Sequence, residues 1–350
     1  HNTAASAIAQ AIRETNAFDV VTVDLGDHMS LVKNFERIWR HLSRNLVSQL
    51  YAYNTMMQSC RQHDHPQFRD VYHHTVAHFL ATYHPNAVIS VCPLGSQLLT
   101  VFKERAPNIK TATYVSDWFG RTYKEWGDSG ADWIYSPSSQ CTQFLQEISD
   151  TNLNQRIITG APILRPGFLN QIHLKTKAEQ KSVLGFAPDD RILLFNAYGS
   201  LQTLSLLENL SVPHLNIVVL CYNNEAILDR VAQLDANYEG HIVGKLWIDN
   251  MQDWLLACDV MYTKPGPGIC VEALNAKTTL LLNAVDGIMP QELVVYETLL
   301  QQGLGMGIES KIDFERALKD WLSGSNQYHD LCERIEAMRF KTVVPSLLHI

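Results

Sequence analysis

Short apolar runs alternate along this chain with longer stretches whose apolar residues recur every third or fourth position. That is the pattern of strands alternating with helices in a doubly wound parallel sheet. In the first half the strand-like runs are 18–25, 87–92, 111–116, 133–136 and 156–159, with a helical pattern opening at 4–15. In the second half they are 192–197, 215–221, 241–243, 260–263 and 279–283. Pro162, Pro166 and Gly167 fall between the two sets and read as a linker. A chain of 350 residues suits two domains, here 1–165 and 166–350, and it can bury roughly three quarters of its unfolded surface. In such sheets ligands bind beyond the carboxyl ends of the strands. No internal repeat links the halves.

One stretch departs from the simple alternation. Leu31, Phe35, Ile38, Leu42, Leu46, Leu50, Tyr53 and Met57 form a helical stripe, with Lys33, Arg37, Arg40 and Arg44 off it and Trp39 at its flank. A basic amphipathic helix with aromatic residues suits the surface of an anionic bilayer, while the same stripe also suits a core helix packed on the sheet.

The densest chemical signal is residues 263–272, Thr-Lys-Pro-Gly-Pro-Gly-Ile-Cys-Val-Glu. They follow an apolar run and open a helical one. A strand, a Gly/Pro turn and a helix N-terminus together make a place for phosphate, because Gly266 and Gly268 let backbone N–H groups approach an anion and the helix dipole favours it. Lys264 adds a positive charge, and Glu272, about a turn into the helix, is placed to accept from ribose hydroxyls. Taken alone, such a turn is also compatible with an ordinary strand-to-helix connection.

Composition narrows the classes. No run approaches the ~20 apolar residues of a membrane span, and no secretory leader is expected. Seven scattered cysteines without a C-x-x-C pair fit buried free thiols in a reducing compartment. The 28 basic and 36 acidic residues divide as 14 and 14 within 1–165, then 14 and 22 beyond it. Neither part has the basic footprint of a nucleic-acid binder. No Asp-x-Asp stands in a metal-holding context. His74 and His78 are spaced i, i+4 but lack a further ligand, so a polar helix face explains them better than zinc.

Several ordered segments resemble the glycosyltransferases that load a sugar from a UDP-sugar onto diacylglycerol, the plant-type monogalactosyldiacylglycerol synthases and the bacterial processive diacylglycerol glucosyltransferases. The Lys264-Pro-Gly-Pro-Gly turn resembles their Lys-Ala-Gly-Pro-Gly-Thr and Lys-Pro-Gly-Gly signatures. His1-Asn-Thr-Ala-Ala-Ser-Ala-Ile resembles the start of their first helix, and Ile89-Ser-Val-Cys-Pro-Leu their Ile-Ser-Val-His-Pro-Leu. Val115-Ser-Asp117 stands where they have Val-Thr-Asp or Ile-Thr-Asp, and Tyr135-Ser-Pro-Ser and Thr159 to Phe168 match their closing N-domain strands. Leu220-Cys-Tyr-Asn-Asn224 resembles their Cys-Gly-Arg-Asn.

The resemblance implies a GT-B fold, two Rossmann-like domains facing across a cleft. The first would bind the lipid acceptor and lack the strand that precedes His1. The second would bind the UDP-sugar, with its last helix packing back on the first. It implies inverting transfer of galactose or glucose from UDP-galactose or UDP-glucose to a diacylglycerol hydroxyl, giving a β-glycosyl diacylglycerol. His1 would be the base, and Asp117 would orient it or bind an acceptor hydroxyl, unless Asp117 simply caps the next helix. Donor binding falls to Gly199, Ser200, Asn224, Leu246, Lys264, Gly266, Gly268, Glu272, Gln291 and Glu292, with the uracil near Leu246. Phe35, Trp39, Arg40 and Trp126 would meet the acceptor or the membrane. No cofactor and no metal are expected. Attachment would be peripheral, on a cytoplasmic face or a plastid envelope, aided by anionic lipid. Three departures open alternatives: Ile269 replaces a Thr, one glycine remains of the run near residue 197, and Pro290 replaces the Gly of a Gly-Gln-Glu motif. One alternative is a degenerate GT-B protein that binds nucleotide or membrane without turnover. The other is a same-fold transferase with a polyprenyl-diphosphate acceptor.

Overall fold

The structure, a computed structural model, describes residues 2–30, 32–34, 66–118, 122–154, 156–165, 167–168, 175–198, 201–222 and 224–338. The chain divides into two compact units at residues 166 and 167. Each is built on its own parallel sheet.

In the first unit β1 (Ala87–Ser90), β2 (Lys110–Tyr114), β3 (Trp133–Ser136) and β4 (Ile157–Thr159) lie side by side in sequence order, all parallel. Helices Pro66–Tyr83, Pro93–Arg105 and Ser139–Ile148 join or flank them. Successive strand residues point to opposite faces, so Ile134 packs with Trp126, Cys141 and Leu145 while Tyr135 packs with Tyr114 and Ile8 of helix Asn2–Arg13. Both faces are therefore covered, as parallel sheets require. The start of β2 is pinned by Asp132, whose carboxylate accepts from the Thr111 amide (2.9 Å) and from Lys103 (3.0 Å) on the neighbouring helix. Burial alone pushes the Asp132 carboxyl up, but these bonds outweigh it and hold it below the usual carboxylate range.

Residues 18–25 do not form the expected strand. They run as irregular backbone, with Phe18 58% and Val21 63% exposed, until Asp24 caps the short helix Leu25–His28 by accepting from the Gly26 amide at 2.8 Å. A strand exists only with a ladder partner, and β1 pairs with β2 alone among the described residues.

Among the described residues the second unit holds six parallel strands: β5 (Ile192–Asn196), β6 (Asn216–Leu220), β7 (His241–Lys245), β8 (Val260–Thr263), β9 (Thr279–Asn283) and β10 (Met306–Ile308). Their order across the sheet is β10-β9-β8-β5-β6-β7. The chain starts at the centre, winds outward to β7, then returns beside β5 and winds the other way. That reversal between β5 and β8 is the topological switch point. β5, β8 and β9 are buried at every position, which explains why they read as unbroken apolar runs. Phe195 and Tyr262 stack at 4.6 Å across the β5–β8 pair, with Phe314 edge-on to both. β7 runs two residues past the expected 241–243, because Gly244 and Lys245 pair with Val219 and Leu220. β10 has no counterpart among the sequence expectations. Three residues with a central glycine carry no readable periodicity, and pairing with β9 makes the strand.

Candidate functional site

The site of the second unit is built where β5 and β8 end at the switch point. Beyond Thr263, residues Lys264, Pro265 and Gly266 turn the chain into helix Pro267–Asn275. Gly266 is its N-cap, with no capping side chain. Pro267 has no N–H, and the first intrahelical bond is Cys270 N–H to Gly266 C=O (3.1 Å). The Gly268 and Ile269 amides thus precede the helical ladder, at the positive end of the dipole. A Cβ added at Gly268 would meet no atom of the described residues within 4 Å beyond its chain neighbours and its own helix backbone. One added at Gly266 would lie 3.9 Å from a carboxylate oxygen of Glu292, which stands in the first turn of helix Pro290–Gln301. The fold therefore brings Lys264, Gly266, Gly268 and Glu292 together from two segments. Glu272 is on the same helix as Gly268 but only 4% exposed.

The loop after β5 meets this turn. Tyr198 bonds its hydroxyl to Thr263 Oγ1 at 2.9 Å, and the Lys264 ammonium lies 5.3 Å from the centre of its ring. Burial first, then the neighbouring Tyr222 and Glu292, push the Tyr198 phenol well above its usual value, so it stays protonated. Burial and Glu292 likewise push the Cys270 thiol up, which leaves it unreactive as a nucleophile. Tyr198 and Tyr222 occupy equivalent places just beyond β5 and β6, with φ of 47° and 48°. A non-glycine residue there costs roughly 1–2 kcal/mol. Asn196 ties the two loops, accepting from the Tyr198 amide (3.2 Å) and donating to the Tyr222 hydroxyl (3.1 Å). Leu246 packs partly buried on the core of this unit, and Asn224 is the N-cap residue of helix Glu225–Asp235. Tyr222, Asn196 and Trp247 were not among the sequence candidates. The signal that could have found Tyr222 was its place in Cys-Tyr-Asn-Asn, where the related motif has glycine.

In the first unit Asp117 lies just past the carboxyl end of β2. Its Oδ2 accepts from Thr122 Oγ1 (2.6 Å) and from the Trp126 indole (3.1 Å). Burial raises its pKa above the usual carboxylate range, and the two bonds partly oppose the rise. It is not a helix cap: helix Lys124–Gly127 begins at Tyr123 with no side-chain cap. Trp126 is fully buried beneath Asp117, so its expected place on a lipid-facing surface is corrected to one that positions Asp117. His74 and His78 lie on the exposed face of helix Pro66–Tyr83. His1, Phe35, Trp39, Arg40, Gly199 and Ser200 lie outside the described residues, as does the Gln291 side chain.

Two parallel-sheet α/β units, the second wound in the dinucleotide-binding order, define the GT-B class of fold. Solved structures of this fold include a UDP-GlcNAc 2-epimerase from Neisseria meningitidis bound to UDP-GlcNAc, with TM-score 0.54, 13% identity and 76% of each chain covered. Another is MurG of Acinetobacter baumannii, with TM-score 0.51, 11% identity and coverage of 79% of this chain and 76% of that one. Anabaena Alr3699/HepE in complex with UDP-glucose also has TM-score 0.51, at 11% identity over 75% of this chain and 76% of that one. At such identities the likeness is one of fold.

The sequence relationship is more specific. The family model of monogalactosyldiacylglycerol (MGDG) synthase matches residues 1–163. The chloroplastic monogalactosyldiacylglycerol synthase of Spinacia oleracea is 23% identical over 262 residues, 70% of this chain and 48% of that protein. Monogalactosyldiacylglycerol synthase 3 of Arabidopsis thaliana is 24% identical over 262 residues, 71% of this chain and 54% of that protein. A probable monogalactosyldiacylglycerol synthase of Glycine max is 25% identical over 260 residues, 70% of this chain and 47% of that protein. The chain spans about half the length of these relatives. The resemblance to monogalactosyldiacylglycerol synthases that the motifs indicated is thus borne out.

Proposed function

We propose that the protein is an inverting glycosyltransferase that moves galactose or glucose from a UDP-sugar to a hydroxyl of diacylglycerol. The observation that carries this reading is the family match over 1–163, joined to a switch-point turn in the second unit suited to a diphosphate. In the reaction the acceptor oxygen attacks the anomeric carbon, its proton passes to His1, and the bond from that carbon to the diphosphate breaks. UDP leaves and the configuration inverts to β. The turn amides, the helix dipole and Lys264 stabilise the charge on the departing diphosphate, the kind of preorganised contact whose loss costs about 10²–10³ in rate. These groups take the part a cation plays elsewhere, so the transfer needs no metal. Glu292 and Gln291 hold sugar hydroxyls, Gly199 and Ser200 extend the phosphate cradle, Leu246 and Asn224 line the base pocket, and Glu272 accepts from the ribose. Asp117 orients the base or the acceptor hydroxyl.

No helix among the described residues is long and apolar enough to cross a membrane. Contact with lipid is assigned to Phe35, Trp39 and Arg40 of the basic amphipathic stretch, and attachment is peripheral. Lipid recovered after incubation with either UDP-sugar and diacylglycerol vesicles should carry a β-linked hexose, read from its anomeric proton coupling. An α-linked product contradicts inversion, and the absence of glycolipid contradicts the reading.

A second reading, nucleotide binding without turnover, is favoured by Tyr198 in the loop after β5 and Ile269 after the Gly-Pro-Gly turn. In that case UDP binds and no hexose is transferred.

A further inference from the structure

Three adjacent strands, β5, β6 and β7, each carry an aromatic residue just past their carboxyl ends: Tyr198, Tyr222 and Trp247. The rings meet in series. Tyr198 and Tyr222 stack at 5.9 Å with planes 21° apart, and Tyr222 meets Trp247 edge-on at 6.4 Å and 77°. Exposure rises along the row, from a half-buried Tyr198 to 41% at Tyr222 and 61% at Trp247. A large exposed indole and phenol side by side need a reason, because such surface is ordinarily buried. Both outer rings are also fixed in place. Tyr222 accepts from Asn196 at 3.1 Å, and the Trp247 indole donates to Asp249 at 2.5 Å. At the inner end of the row stand Lys264 and the helix N-terminus at Gly266.

A ligand matched to this arrangement has an anionic group at one end and a flat ring at the other, which is the chemistry of a nucleoside diphosphate. Backbone strain points the same way. Tyr198 and Tyr222 hold left-handed backbone that glycine would adopt freely, and strain of this kind persists at functional sites. We propose that Tyr222 and Trp247 form a stacking shelf for the nucleobase of the donor, with Tyr198 linking the shelf to the diphosphate turn. The inference rests on the donor reading above and adds to it the side chains that hold the base.

Calorimetric titration of UDP and of inorganic pyrophosphate separates the base from the diphosphate. Glycine suits the left-handed backbone at position 222, so Tyr222→Gly is expected to fold with a midpoint no lower than the unaltered protein. Base–aromatic stacking predicts UDP binding about 5- to 100-fold weaker in Tyr222→Gly and in Trp247→Ala. Pyrophosphate binding should be unchanged in both, and Tyr222→Phe should stay within about twofold of the unaltered protein for UDP. UDP binding that survives both truncations overturns the shelf while leaving the donor reading intact. Equal losses for UDP and pyrophosphate overturn it by making the row a support for the turn. Tighter UDP binding in Tyr222→Gly overturns it by making the ring a plug. If the unaltered protein binds no UDP, the donor reading fails and the shelf fails with it.

Discussion

At the scale of single residues, Asp117 carries the clearest consequence. Both bonds to its carboxylate come from donors, Thr122 and Trp126, that an asparagine oxygen can also satisfy. Asp117→Asn should therefore fold normally and lose at least tenfold in kcat/KM for the acceptor, with the KM for the UDP-sugar little changed. Burial raises the folded pKa of Asp117 above its unfolded value, so the native state holds a proton that the unfolded state has released between those two values. Its contribution to stability falls as pH rises through that window. Urea midpoints should show Asp117→Asn gaining on the unaltered protein across that window, and a gain on the acid side instead would contradict the assignment. The position was legible from Val-Ser-Asp at a strand end. Its environment was not, because Thr122 and Trp126 approach from a loop and a short helix that no periodicity announces. The same holds for Tyr198. The loss of glycines near residue 197 was legible, whereas the bond of Tyr198 to Thr263 and its place under Lys264 depend on the pairing of β5 with β8.

At the scale of elements, helix Pro267–Asn275 supplies the sharpest test. Among the described residues, and apart from its chain neighbours and its own helix backbone, no atom lies within 4 Å of where a methyl on Gly268 would stand, and the φ of Gly268 is not in the left-handed region. Gly268→Ala should leave thermal stability unchanged or raise it by about 0.5–1 kcal/mol, as glycine-to-alanine changes in helices do. The methyl would stand where the diphosphate approaches, so UDP affinity should fall at least tenfold by calorimetry. Unchanged affinity would remove this turn from the donor site. A second element test concerns how helix Pro93–Arg105 is tied to β2. Asp132 joins Lys103 to Thr111, and its folded pKa lies below the unfolded one. The stabilisation is present above the unfolded pKa and is lost as pH falls through the folded one. Asp132→Asn should cost about 2 kcal/mol near neutrality in chemical denaturation, and the difference from the unaltered protein should shrink in acid. Strands β5, β8 and β9 were legible because both their faces are buried. Residues 18–25 show the limit of that logic, since an apolar run becomes a strand only where a neighbour offers a ladder.

At the scale of the whole molecule, the order β10-β9-β8-β5-β6-β7 puts the topological switch point of the second unit between β5 and β8, the place where ligands bind in sheets of this kind. The switch point falls at the Lys264–Gly268 turn, the segment that the sequence marked most strongly. Two halves with separate strand–helix alternation and a Pro/Gly joint at 162–167 were enough to read two units. The aromatic row beyond β5, β6 and β7 was not readable in advance, because its members lie 24 and 25 residues apart and only the sheet brings them together. The family model matches the first unit and the proposed donor turn lies in the second, so the central test is an assay that depends on both. The direct one is release of UDP from UDP-galactose and from UDP-glucose by the purified protein, with and without diacylglycerol vesicles. Release from one of the two donors that depends on diacylglycerol is the predicted result. UDP that binds while neither donor turns over with diacylglycerol would contradict the transferase and leave a nucleotide-binding protein.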